Sequence, residues 1–255
     1  MPATKVYLTK RQPTQVGVFV FGIQMKILAV ILSSWLLVAC GGGGGSSVTV
    51  TASVATGNFT VSGTAATGKA LAGAIINAKC VVGTGSATTN ADGTYSLVVL
   101  GGKLPCLLQI TDPADGSKLH TVATGNGISM TANMTPLTEM LVARLLRNDP
   151  FRFFSDFDAV VAASTITSTA VLAAQTDVGT ILIGTVDTSS LGDFIATALK
   201  AATSDNLSGG DAQDRMLDAL GGKISGAQLV QLVSALARIP NTADFKQVLL
   251  DLGIH

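Results

Sequence analysis

The apolar residues of this chain change their period once, near residue 135, and that change separates what can fold as a sheet from what can fold as helices. From Phe59 to about Asn133, apolar and polar residues alternate with period two in short runs broken by turn residues, as in a half-buried antiparallel sheet. The alternation predicts strands over 59–64, 74–81, 86–90, 94–100, 106–111, 118–123 and 128–134. Two of the breaks, Asn90-Ala91-Asp92-Gly93 and Pro113-Ala114-Asp115-Gly116, join side chains that bond local backbone to a glycine that tolerates positive φ.

At Thr135 the pattern becomes helical. Thr135 is placed as an N-cap with Pro136 in the first turn, and Leu137, Leu141 and Leu145 recur on one face until Asn148. Asp149-Pro150 repeats the device, with Phe154, Phe157 and Val161 inward, and Val171, Ala174, Val178 and Ile181 form a further stripe. Later helix starts are expected at Ser190 with Asp193, Ser225 with Gln228, and Asn241 with Asp244. Behind them run Phe194, Ala198 and Leu199, then Leu229, Leu232, Val233 and Leu236, then Phe245, Val248, Leu249 and Leu252. Gly221-Gly222 and Pro240 are expected to end helices. The fold class that follows is α+β by segregated domains: a small antiparallel β-sandwich over 59–134, then an all-α domain of about six helices over 135–255. The stripes read as core rather than as a membrane or partner face.

Upstream of the sheet, Leu37-Val38-Ala39-Cys40 ends an apolar run and opens onto Gly41 to Gly45. These residues resemble the lipobox of bacterial lipoproteins. The resemblance implies cleavage after Ala39 and a diacylglycerol with an additional acyl chain on Cys40, a combination that holds a protein stably to a bilayer. Lys26 supplies the positive start of such a signal and 27–38 its apolar stretch. The rival reading, a membrane span over 16–39, places Lys26 near mid-membrane at a cost of roughly 2.5 to 3.5 kcal/mol. Residues 1–39 are thus taken as a signal peptide, with 1–24 either a long basic leader or an over-called start before Met25. Gly41, not an aspartate, implies an outer-membrane lipoprotein, facing the periplasm or exposed at the surface. Residues 40–58 read as the lipidated cysteine and a Gly/Ser/Thr tether.

The segment 59–134 also resembles the carboxypeptidase regulatory-like domain, a prealbumin-like (transthyretin-like) β-sandwich. The matching residues are Val61-Ser62-Gly63-Thr64, Leu71-Ala72-Gly73-Ala74, and Thr88 to Leu97 with Asp92-Gly93-Thr94-Tyr95 at its centre. The resemblance implies a folding, spacing or binding module rather than a peptidase.

Alternation also orients the two remaining cysteines. Cys80 shares a face with Ala74, Ile76 and Ala78, and Cys106 shares one with Leu108 and Ile110, so both thiols point with the apolar set. In an oxidising compartment an even pair is read first as a disulfide. Closing the loop between Cys80 and Cys106 stabilises by roughly 3.5 kcal/mol in the chain-entropy model. Two buried free thiols, or a two-cysteine metal site with no further ligands nearby, are the competing readings.

Removing four basic residues and no acids with the leader leaves 12 basic against 16 acidic side chains, the opposite of a nucleic-acid footprint. Catalytic motifs do not emerge. The two histidines are His120 and His255, the single glutamate is Glu139 with no histidine beside it in sequence, and no Gly-x-Ser-x-Gly elbow occurs. His120, alternating with Lys118 and Val122, reads as solvated or partly packed. Asn90, Asp92, Asp112 and Asp115 are the oxygen ligands to weigh for calcium, with turn formation the ordinary explanation. The expected function is a lipid-anchored, non-enzymatic binding or structural protein of the cell envelope. Its partners are then the membrane, through the lipid, and a protein or polysaccharide, with no cofactor beyond the lipid on Cys40. The alternative is an envelope-polymer hydrolase with its site between the two domains.

Overall fold

Alternation at the start of the sheet region becomes strand β1 (Gly57–Thr64), which sends Phe59 and Val61 inward. The computed structural model describes residues 56–188 and 192–254. Strands β2 (Ile75–Val82), β3 (Thr84–Thr88), β4 (Thr94–Thr111), β5 (Lys118–Ala123) and β6 (Ser129–Thr131) follow. The chain is therefore of mixed α and β content, with six strands in one hydrogen-bonded sheet and seven α-helices among the described residues.

The two strands predicted over 94–100 and 106–111 are one element of 18 residues. Extended straight, it would span close to 60 Å. Instead its two ends come together. Asn90 N donates to Thr94 O at 2.8 Å, Thr89 N to Ala74 O at 3.0 Å, and the next residue, Ile75, stands opposite Thr111. Strand β4 therefore folds back on itself. Its first half pairs with β1, from Thr64↔Thr94 to Gly57↔Gly102, and its second half pairs with β2 on one side and β5 on the other. The fold-back falls at Gly101, whose φ of 56° favours glycine, and at Gly102, where a Cβ would stand 2.4 Å from Val99 and 2.7 Å from Phe59.

Strand β6 departs from the antiparallel expectation for 128–134, since it is shorter and runs parallel to β1. The reason lies in where the chain turns. Strand β5 delivers the chain to the end of the sheet at which β1 begins, so a strand returning beside β1 must run in its direction. The ladder then gives way to side-chain bonding: Asn133 Oδ1 accepts from Thr64 N at 3.1 Å, and the Tyr95 hydroxyl donates to Ala132 O.

The helices are α1 (Pro136–Leu146), α2 (Pro150–Ser155), α3 (Ala159–Thr165), α4 (Ser168–Ile181), α5 (Ala212–Lys223), α6 (Gly226–Arg238) and α7 (Phe245–Asp251). Thr135 caps α1 as expected, in a reciprocal box with Thr138, and Ser225 does the same for α6 with Gln228. The stripe Val171, Ala174, Val178 and Ile181 is the buried face of α4.

Three expectations fail. Ser190 lies outside the described residues, and residues 192–199 form turns rather than a helix, because the carbonyls of Ile195 and Leu199 accept from Asn133 N and Thr64 Oγ1 instead of from amides further along their own segment. Gly221 and Gly222 lie inside the last turn of α5 rather than ending it. Asn241 makes no side-chain cap; a 3-10 turn, Thr242–Asp244, precedes α7 instead.

Strands and helices share one apolar core, which runs from Phe59 through Leu108 and Met140 to Leu236 and Phe245. Helix α1 lies at its centre, with every residue from Leu137 to Leu146 buried, against β5, α4 and α6. Strand β6 ends at Thr131 and helix α1 begins at Pro136. Among the described residues no single helix is long and apolar enough to cross a membrane.

At Gly63 a Cβ would stand 2.3 Å from Ala132 O, so β1 and the chain leaving β6 meet there only because no side chain intervenes. Gly63→Ala is expected to destabilise the fold by roughly 1 to 3 kcal/mol, as overpacking does. A urea-unfolding midpoint unchanged by the substitution would contradict this pairing.

Candidate functional site

Cys80 and Cys106 stand directly opposite each other on β2 and β4, and their sulfurs are joined at 1.97 Å with the Cα atoms 3.9 Å apart. Both are buried. The apolar face assigned to each cysteine is thus correct, and the thiols meet as neighbours along one ladder rather than across a gap between layers. Cys40 and Ala39 lie outside the described residues.

The largest departure from expectation is His120. It is 1% exposed, not solvated, and its partner is the single glutamate, 19 positions away in sequence. The reason is topological: β5 packs on the first turn of α1, which turns Glu139 onto the strand. Glu139 Oε2 accepts from His120 N at 2.6 Å and lies 2.8 Å from His120 Nδ1. Gln109 Nε2 lies 2.9 Å from His120 Nε2, and Thr138 Oγ1 donates to His120 O at 2.9 Å. The network is satisfied by a proton on Nδ1, donated to the carboxylate, and a lone pair on Nε2 that accepts from the Gln109 amide. Phe154 closes one side, its ring centroid 6.0 Å from the imidazole.

A carboxylate on Nδ1 is how a histidine base is commonly oriented. Here the nitrogen left for chemistry is held by an amide and sealed from water, and among the described residues no hydroxyl or thiol is hydrogen-bonded to it. What the arrangement does is fasten β5 to α1. Sequence reasoning missed it because the two residues are joined by tertiary packing; the only available signal was that the chain's one glutamate sits on an otherwise apolar helix face.

A second polar fastening holds the far end of α1. Arg144 is buried and donates from Nε to Asp177 Oδ2 at 2.7 Å, from Nη1 to Ile239 O at 2.6 Å and from Nη2 to Pro240 O at 2.8 Å. It thereby ties α1 to α4 and to the chain after α6.

At the start of α5, Asp214 is buried, and its Oδ2 accepts from Ala202 N at 3.0 Å. Burial raises its carboxyl above the ordinary aspartate range, with Asp218 and Asp211 adding to the rise and the Ala202 bond opposing it. The carboxylates weighed for calcium serve turns. Asp92 Oδ1 accepts from Thr94 N and Oγ1, Asp112 Oδ1 from Ala114 N, and Asp115 Oδ1 from Ser117 N. These bonds hold Asp92 and Asp115 below the usual carboxylate range. Among the described residues no three His, Cys, Asp or Glu side chains gather as a metal site.

Where strands meet helices, a groove of about 320 Å³ is lined by Val122, Thr124, Met130, Ser168, Leu172 and Asp193 among others. Ser168 Oγ lies 3.4 Å from Thr124 Oγ1, and one carboxylate oxygen of Asp193 is taken by backbone amides. The described lining offers hydroxyls and one carboxylate without a histidine or lysine to act as base.

Removing one partner of a buried pair strands the other, so Glu139→Ala is expected to destabilise by roughly 3 to 5 kcal/mol. A urea midpoint within error of wild type would show that the network does not fasten the fold. Because the folded state holds the Asp214 proton more tightly than the unfolded chain, that residue's contribution to stability is full below the ordinary aspartate range and falls as pH rises through its raised folded value. Asp214→Asn keeps an acceptor for Ala202 N and should remove that fall. Identical pH–stability profiles for the two proteins would refute it.

Comparison with protein families, with curated proteins and with solved structures finds no match to this chain.

Proposed function

We propose that this chain is a lipid-anchored protein of the bacterial cell envelope, an outer-membrane lipoprotein whose folded body is a non-catalytic binding or structural module. The observation that carries the reading is the bond between Cys80 and Cys106. Such links form and persist in oxidising compartments and are rare in the cytosol, so the bond supports export. Export is what the leader before Cys40 would direct, with cleavage after Ala39 and acylation of the new terminal cysteine.

The strand region is proposed as a prealbumin-like sandwich of the carboxypeptidase regulatory-like kind. Supporting this are the hairpin residues Asp92-Gly93-Thr94-Tyr95 and the division of β4 between β1 on the one hand and β2 with β5 on the other. The helices from α1 onward complete the core of this module. The module's partners are the membrane, through the lipid, and a protein or polysaccharide of the envelope.

Cys40→Ala is expected to abolish incorporation of radiolabelled fatty acid and to leave the leader attached. Unchanged labelling would overturn the anchor. Protein purified without reductant should yield a peptide linking Cys80 to Cys106 by mass spectrometry, and two freely alkylatable thiols would overturn the bond and with it the argument for export drawn from it.

A further inference from the structure

Four segments that are distant in sequence meet at one end of the sheet. They are the start of β1, the β2–β3 turn, the fold-back of β4 and the loop between β5 and β6. The pairing places them there: Val82 stands opposite Lys103, Gly57 opposite Gly102, Gly101 N donates to Asn58 Oδ1 at 2.8 Å, and Thr60 N donates to Ile128 O at 2.9 Å. Between the start of β1, the fold-back of β4 and the β5–β6 loop runs a groove of about 440 Å³, lined by Asn58, Phe59, Lys103 and Leu104 with Gly57, Gly102, Gly125 and Gly127.

This end is apolar where loop tips are ordinarily polar. Leu100 is 71% exposed, Ile128 81% and Val82 41%. Within 56–60, 82–84, 100–104 and 124–128 there is no aspartate or glutamate, and Lys103 is the one charged residue. The opposite end carries Asp92, Asp112 and Asp115 at its turns. An exposed apolar cluster with a cation and no acid suits a lipid surface bearing anionic headgroups. The chain itself selects that occupant: Thr56 enters the fold at this end, and it lies sixteen positions after Cys40, a contour of at most about 55 Å.

We propose that this end of the sheet is a membrane-contact surface. Val82, Leu100 and Ile128 seat at the boundary of headgroups and acyl chains, and Lys103 faces the phosphates. The inference rests on the lipid anchor proposed above and adds what the anchor alone does not specify. The body lies against the bilayer with its β1-entry end inward and its acidic turns outward, rather than swinging free on a tether.

The single tryptophan of the chain is Trp35, within the leader, so the mature protein is dark at indole wavelengths and one engineered tryptophan reports alone. Leu100→Trp, Ile128→Trp and, at the opposite end, Ala114→Trp would each be made in the full chain, processed and lipidated in cells. The purified proteins would be reconstituted on vesicles of phosphatidylethanolamine and phosphatidylglycerol with and without brominated acyl chains. Sedimentation with vesicles reads the anchor, and quenching by bromine reads the contact. Tryptophan at 100 and at 128 is expected to shift to the blue and to be quenched about twofold or more, with 114 unaffected, as for side chains buried at the acyl boundary. Ile128→Asp in the Leu100→Trp chain should weaken that quenching while sedimentation stays complete. Protein that sediments fully yet shows 100 and 128 no more quenched than 114 overturns the contact and leaves the anchor standing; the patch then belongs to a protein partner. Protein that fails to sediment overturns the anchor and the contact with it.

Discussion

The fold-back of β4 at Gly101 and Gly102 is the constraint on which the rest of the sheet depends. A single strand supplies pairing partners to β1 in its first half and to β2 and β5 in its second. Because it doubles back, Thr94 and Thr111 finish near each other, and the turns of the intervening strands are sorted into two groups at opposite ends. The same register sets Cys106 opposite Cys80, so their bond clamps the second half of β4 to β2. It also fixes the direction of β6. A side chain at Gly102 would press on Val99 and Phe59, which makes the bend a packing requirement as well as a matter of backbone freedom.

Helix α1 is the corresponding element of the helical part, and it is buried on all sides. A wholly apolar helix would slide or rotate among apolar neighbours at little cost. Two polar fastenings prevent that. Near its start, Glu139 and Thr138 bond His120 of β5; near its end, Arg144 bonds Asp177 and two carbonyls after α6. Each group is expensive to bury alone and satisfied only in one register, so the pairs specify position more than they add net stability. The turns over 192–199 belong to the same scheme, with the carbonyls of Ile195 and Leu199 serving the strands.

Much of this architecture was legible because it is local. The caps at Thr135 and Ser225, the buried stripe of α4, the strand positions and the face of each cysteine all follow from spacing within a few residues. What failed was non-local in cause. Ser190 to Leu199 has helical spacing, but the carbonyls of Ile195 and Leu199 accept from Asn133 and Thr64, more than sixty residues away. Helix α5, whose end was expected at Gly221-Gly222, instead runs on to Lys223, with Asp211 capping its start and Met216, Leu217 and Leu220 on its inner face. The groove between strands and helices is lined by residues from separate elements that no linear motif connects.

By itself the sequence determined where the strand pattern gives way to helices and which face both cysteines and most of the apolar stripes take. Those are matters of period, capping and short motifs, all read within one turn or one hairpin. Only the tertiary structure decided that β4 doubles back, that His120 is buried against Glu139, and that Val82, Leu100 and Ile128 gather where the chain enters the fold. Each of these requires residues far apart in sequence to be placed against one another, and the chain's composition contains the partners without recording which of them will meet.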